Sequence, residues 1–129
     1  MPARILVIED DPASLELLKY ILERAGHTVT TATDGASGLR VALANDFDAV
    51  FCDLQLPEMT GYEVAGSLRA SETWRSVPLV AVTAYSMPGD AEAATAAGFS
   101  DYITKPITPE RFVTDVDAVL PESLRSSAK

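Results

Sequence analysis

Apolar residues fall into two rhythms along this chain. Ile5, Leu6, Val7 and Ile8 form an unbroken run that stops at Glu9-Asp10-Asp11. A second run, within 48–53, carries Ala49, Val50, Phe51 and Cys52 and stops at Asp53, and a third covers 77–82 and stops at Thr83. Short continuous runs of this kind predict strands buried on both faces. The stretch 27–32, rich in threonine and valine but less hydrophobic, predicts a strand near a sheet edge. Asp101-Tyr102-Ile103-Thr104 reads as a brief fifth strand ending at Lys105-Pro106.

The intervening segments carry helical spacing. Asp11 followed by Pro12 reads as an N-cap with proline in the first helical position; Leu15, Leu18, Leu22 and Ala25 then recur along one face, and Gly26 supplies the stop. Asp34-Gly35 turns the chain into a second helix with Ala36, Leu39 and Leu43 inward, ending near Asn45. A third begins near Gly61 with Val64, Ala65 and Leu68 inward, and the polar stretch 71–76 with Trp74 reads as a surface loop. Pro88-Gly89-Asp90 opens an alanine-rich fourth helix that Gly98 closes. Thr108-Pro109 caps a fifth, with Phe112, Val113, Val116, Val119 and Leu120 inward and Pro121 as its end. Strict alternation of strand and helix predicts an α/β domain with a parallel sheet covered on both faces. For five strands the doubly wound solution is the flavodoxin-like order 2-1-3-4-5. One domain over 1–121 and a flexible tail over 122–129 are expected.

Composition narrows the classes of function. At 129 residues, 47% hydrophobic and 22% charged, the chain suits a single globular domain. Acidic residues outnumber basic ones 19 to 10, for a net charge of −9, which disfavours nucleic acid and anionic membrane surfaces as partners. The lone Cys52 permits no internal disulfide and no cysteine metal cage. The apolar run before Glu9 is too short for a signal peptide or a membrane span, so a cytoplasmic location is expected.

Binding crevices of such sheets lie beyond the carboxyl ends of the strands. This sequence places Glu9, Asp10 and Asp11 after the first strand, Asp53 after the third, Thr83 after the fourth and Lys105 after the fifth. The predicted order makes the first and third strands neighbours, so Asp10 and Asp53 are expected side by side. Carboxylates about 4 Å apart repel by roughly 4 kcal/mol at an effective dielectric of 20. A divalent cation removes that cost, and oxygen-only ligands indicate a hard ion, Mg²⁺ or Mn²⁺. A lysine and a threonine hydroxyl beside the ion suit phosphoryl oxygens, and aspartate is an established phosphoryl-accepting nucleophile.

The set Ile5-Leu6-Val7-Ile8-Glu9-Asp10-Asp11, Asp53 with Pro57, Met59 and Gly61, Val82-Thr83-Ala84 and Lys105-Pro106 resembles the receiver domain of two-component response regulators, of the single-domain chemotaxis-regulator type. The likeness runs from about Arg4 to Leu120 with every motif in order. It implies a phosphorylation-controlled switch of a phosphorelay rather than a turnover enzyme, with Asp53 accepting a phosphoryl group from a histidine kinase or histidine phosphotransfer protein. It further implies that Asp10 binds Mg²⁺ directly, Glu9 mainly through water, and the backbone carbonyl of Gln55 as a third protein ligand. Lys105 is implied to pair with Asp53 and then with the phosphoryl group, and Thr83 to donate its hydroxyl to that group. Tyr102 is the implied aromatic switch, Lys105-Pro106 an implied cis bond, and the face of the fourth helix, fifth strand and fifth helix the surface a downstream target reads. Gln55 and Tyr85 stand where side chains affect access of the hydrolytic water.

Two alternatives stand beside this reading. A receiver-like module acting by contact without phosphate usually lacks part of the site set, which is complete here. An aspartyl phosphohydrolase needs a second acid two residues after the nucleophile, where this chain has Gln55. Among the remaining residues, Asp11 reads as a helix cap, and Glu9 reads as a site acid or a solvated one. Cys52 should point away from Asp53 as a small core hydrophobe. His27 is expected as an exposed turn residue, and Trp74 as an aromatic packing on its own domain. Helix four, with little side chain to pack, is expected to be loosely held.

Overall fold

The computed structural model describes residues 3–84 and 89–120. Five strands, β1 (Arg4–Ile8), β2 (Thr28–Ala32), β3 (Ala49–Asp53), β4 (Leu79–Thr83) and β5 (Asp101–Thr104), alternate with five helices, α1 (Pro12–Arg24), α2 (Gly35–Ala44), α3 (Gly61–Arg69), α4 (Asp90–Ala97) and α5 (Pro109–Val119). The sheet is parallel with order β2-β1-β3-β4-β5, the expected doubly wound topology. Pro88 at the start of helix four, Tyr85, Pro121 and the expected tail at 122–129 lie outside the described residues. Among the described residues no helix is long and apolar enough to cross a membrane.

Strand side chains alternate between two cores. Ile5, Val7, Phe51, Val80 and Val82 face α1 and α5, where they meet Leu18, Leu22, Phe112 and Val116; the Phe51 and Phe112 rings lie 5.4 Å apart. Leu6, Ile8, Val50, Cys52, Leu79 and Ala81 face the other way, against Val64, Leu68, Ala94 and Phe99. The central strands β3 and β4 are buried at every position, which is why their sequences read as unbroken apolar runs.

The helix starts follow local chemistry. Asp11 Oδ2 accepts from the Ser14 N–H at 3.0 Å, as its position before Pro12 predicts. α3 opens on a capping box: the Glu63 N–H donates to Thr60 Oγ1 at 3.3 Å, and the Thr60 N–H donates to Glu63 Oε1 at 3.0 Å. At α5 the expectation fails in part, because Thr108 occupies the N-cap but its hydroxyl makes no capping bond.

Four further expectations are corrected. The inner face of α2 is Gly35, Gly38 and Ala42, with Leu39 half-buried, Ala36 exposed and Leu43 exposed at 55%; glycines let the helix axis approach the sheet, so the larger leucine rotates outward. The 71–76 segment is more than a surface loop, since it holds a 3₁₀ turn at Glu72–Trp74 whose Trp74 is buried in the core. β4 begins at Leu79 rather than Val77, because Pro78 has no N–H to give the ladder, although its carbonyl accepts from the Val50 N–H at 3.0 Å. His27 is buried at 5% exposure instead of lying open in a turn.

His27 earns its burial as an acceptor: the Ala3 N–H donates to its Nδ1 at 3.1 Å, at the opposite end of the sheet from Glu9, Asp10 and Asp53. That bond requires the neutral ring. Burial pushes the imidazole pKa below its usual value, against the opposing pull of Asp117 and Asp48. A base depressed in the folded state contributes its full stability above its unfolded pKa of about 6.5 and loses it as pH falls. The melting temperature of the wild type relative to His27→Gln should therefore drop as pH is lowered from about 7.5 to 5.5. Other groups titrate in both proteins, so the difference carries the test; a pH-independent difference would refute it.

Candidate functional site

The site lies at the carboxyl ends of β1, β3, β4 and β5. Register places it: Ile8 pairs with Cys52, so Glu9 and Asp53 emerge level with one another from adjacent strands. Thr83 pairs with Thr104, and the Lys105 N–H donates to the Thr83 carbonyl at 2.8 Å, which continues the ladder one residue and brings Lys105 alongside. Alternation then assigns faces. Asp53 follows Phe51 and Lys105 follows Ile103 toward the α1–α5 side, whereas Thr83 follows Ala81 on the side where Tyr102 packs, half-buried, against the core of α2, α3 and α4.

One oxygen from each of Glu9, Asp10 and Asp53 can lie within 4.8 Å of the others. Glu9 and Asp53 are buried, Asp10 is exposed, and Thr83 is buried. The Lys105 ammonium bridges the two buried acids, 2.6 Å from Glu9 Oε1 and 3.2 Å from Asp53 Oδ2. Asp53 Oδ1 accepts from the backbone N–H of Gln55 at 2.9 Å. Glu9 Oε2 accepts from the Asp11 N–H at 3.1 Å.

Glu9 is thus no solvated acid. It is 1% exposed, and burial pushes its pKa up to about 7, with the Lys105 hydrogen bond pulling down and Asp53 pushing further up. Burial alone would lower the pKa of Lys105, but its hydrogen bond to Glu9 and the charges of Asp53 and Glu9 outweigh that and raise it. The ammonium therefore stays charged and serves as the internal counterion of the buried acids. The donor set suits a hard divalent ion: three carboxylates converge with no histidine or cysteine among them.

The loop after Asp53 is tightly built. Glu58 adopts a left-handed φ of 65°, the Met59 N–H donates to the Pro57 carbonyl at 2.7 Å, and the Gly61 N–H donates to the Leu54 carbonyl at 3.1 Å. Lys105-Pro106 is cis. Cys52 lies on the face opposite Asp53, buried, with its thiol pKa pushed up by burial; it is the inert core residue that alternation implies.

Sequence reasoning missed two features of the site. The close Glu9–Lys105 pair joins residues 96 positions apart, and no local signal announces it. The Gln55 N–H bond to Asp53 has a legible cue, since aspartate commonly accepts from the backbone two residues on.

The chain matches the model of the response regulator receiver domain over residues 5–117. It is 32% identical over 120 residues to the polar-differentiation response regulator DivK of Brucella anthropi, covering 93% of this chain and 98% of that protein. The chemotaxis response regulator CheY4 of Vibrio cholerae has a similar structure, with a TM-score of 0.88 at 28% identity over 93% of this chain and 100% of that one. So does the receiver domain of a sensor histidine kinase from Pseudomonas aeruginosa, solved with a magnesium ion coordinated in its active-site cleft: TM-score 0.84, 32% identity, 92% of this chain and 97% of that one. A family match along most of the chain, and a relative this similar over nearly its whole length, place the protein in the response regulator receiver domain family.

Proposed function

We propose that this receiver domain is switched by transfer of a phosphoryl group to Asp53 from a histidine kinase or histidine phosphotransfer protein. The observation that carries the reading is the Lys105 ammonium set between buried Glu9 and Asp53, with Asp10 completing a three-carboxylate cluster. Such a cluster is costly to hold unless it binds cations. Glu9, Asp10, Asp53 and the Gln55 carbonyl would hold Mg²⁺ (Mn²⁺ is chemically similar), and the ion when bound would offset their charge and polarise the phosphoryl oxygens.

The protein's own residues supply the rest. The Gln55 N–H and Lys105 orient the Asp53 carboxylate for in-line attack. As its oxygen–phosphorus bond forms, the bond to the donor's imidazole nitrogen breaks and the electron pair leaves with the imidazole. Lys105 then faces a phosphoryl oxygen instead of a carboxylate oxygen, and Thr83 donates its hydroxyl to another. Thr83 and Tyr102 share one face of the sheet, with Ala81 opposite Tyr102, so movement of Thr83 is felt by the Tyr102 ring. A groove of about 440 Å³ between β5 and α5, lined by Tyr102, Ile103, Lys105, Pro106, Arg111 and Asp115, supports the β5–α5 part of the α4–β5–α5 face as a surface a target reads. Gln55, two residues after Asp53, would affect access of water to the acyl phosphate and thereby its lifetime.

Two measurements test this. Acetyl phosphate with Mg²⁺ should add one phosphoryl group to the protein, detected by intact mass, and chelation should prevent it. Mg²⁺ at tenfold over its Kd should stabilise the fold by about 1.4 kcal/mol, a melting shift of roughly 5 °C, and Asp10→Ala should remove most of that gain. An unchanged shift in Asp10→Ala would exclude this cluster as the metal site.

A further inference from the structure

Arg69, the last residue of α3, lies outside the acidic site and joins three helix ends. Its Nε donates to the Gly98 carbonyl at 2.8 Å, its Nη1 to the carbonyls of Trp74 and, at 2.7 Å, Val77, and its Nη2 to Ser100 Oγ at 3.0 Å. Trp74 closes the 3₁₀ turn, Gly98 caps α4, and Arg69 itself sits in the last turn of α3. Carbonyls at helix C-termini lack intrahelical partners and carry the negative end of the helix dipole. One guanidinium is thus the shared counter-charge of three helix ends, and no carboxylate among the described residues pairs with it.

The C-terminal end of α4 is tied to its neighbours at several points. At the C-terminal end, Gly98 is left-handed with φ 119°, and a Cβ there would lie 2.6 Å from Arg69 Cγ. The Gly98 and Phe99 N–H groups return to the Ala94 carbonyl at 3.2 and 3.0 Å, and the Ser100 N–H donates to the Leu79 carbonyl at 2.7 Å. Ser100 Oγ also accepts from the Leu79 N–H at 3.3 Å, tying the same point to the start of β4. At the N-terminal end, Gly89 offers no side-chain cap, and Ala94 is the buried residue of the helix.

We propose that Arg69 is a positioning residue that pins the C-terminal end of α4, making Gly98 a fixed pivot so that changes at Thr83 move the helix at its N-terminal end. The pinning stands on the contacts alone, whereas its link to Thr83 rests on the phosphorylation-switch reading. A planar fork with several fixed donors suits this junction, and a lysine ammonium on a flexible stem does not reproduce it. The consequence is directional: α4 swings as a lever on an anchored base instead of loosening along its whole length.

Hydrogen exchange of the full chain, followed residue by residue by NMR, tests the pinning. The Phe99 and Ser100 amides should exchange at least about tenfold more slowly than that of Ala93. Ser100→Ala, which leaves the guanidinium in place, and Arg69→Lys should each lower protection at 98–100 by about tenfold, the worth of one charge-assisted bond, with β3 amides unchanged. An equal loss of protection across the whole domain would mean that Arg69 is a general structural staple and would overturn the proposal. Beryllofluoride with Mg²⁺, an acyl-phosphate mimic, tests the pivot. Shift changes along α4 should decline from Asp90 toward Gly98 in the wild type and extend through Ser100 in Ser100→Ala. Largest wild-type changes at 98–100 would overturn the pivot. No beryllofluoride response anywhere, with the exchange pattern as expected, would overturn the switch reading and leave the pinning in place.

Discussion

Asp53→Asn gains no phosphoryl group from acetyl phosphate and Mg²⁺ under conditions that label the wild type fully. The substitution is nearly isosteric, and its side-chain oxygen can still accept from the Gln55 N–H. What it removes is the nucleophile, because a neutral carboxamide oxygen does not form a stable phosphoryl ester. The variant should fold at least as well as the wild type. Asp53 raises the pKa of Glu9 both as a hydrogen-bonding neighbour and as a charge, so removing its charge relieves repulsion between buried acids, while Lys105 keeps its 2.6 Å contact with Glu9. Loss of labelling with an unchanged or raised melting temperature therefore reports chemistry, not unfolding. Equal mass gain in the variant would move the acceptor elsewhere in the chain and sink the assignment.

Gly61→Ala should damage both the fold and the site. A Cβ at this first residue of α3 would lie 2.4 Å from the Asp53 carbonyl oxygen and 2.8 Å from the Leu54 Cα. Both are backbone atoms and cannot rotate away as a side chain would. Alanine's helix preference returns at most about 1 kcal/mol, and overpacking against backbone costs about 3 kcal/mol. The net loss of about 2 kcal/mol lowers the melting temperature by roughly 8 °C. The clash also displaces the strand end that carries Asp53 and the turn that aims the Gln55 N–H, so the Mg²⁺-dependent melting shift should shrink as well. A variant that melts like the wild type, with its Mg²⁺ response intact, would show that the loop yields freely and that this close approach is incidental.

Much of the site was legible because its parts sit at strand ends. Glu9, Asp53 and Thr83 each terminate an apolar run and Lys105 follows the brief fifth strand, and a doubly wound sheet gathers strand ends at one edge. The expected sheet order, the cap at Asp11 and the outward turn of Cys52 from Asp53 followed from periodicity and local chemistry alone. His27 and Leu43 were misplaced for the opposite reason. An imidazole at a turn is buried only when some backbone donor needs an acceptor, and that donor, Ala3, stands 24 residues away. The outward rotation of Leu43 depends on how close the axis of α2 comes to Ile8 across Gly38, which is a property of two packed elements and of neither alone.

By itself, then, the amino-acid pattern determined which segments alternate as strand and helix, and which carboxylates, hydroxyl and ammonium reach the same edge, because these depend on period and neighbouring residues. Only the tertiary structure decided that Lys105 binds buried Glu9 more closely than Asp53, that Gly61 admits no side chain beside the Asp53 backbone, and that Arg69 gathers three helix ends. Those arrangements are set by distances between segments far apart in sequence, and such distances exist only once the sheet has closed its register and the helices have packed upon it.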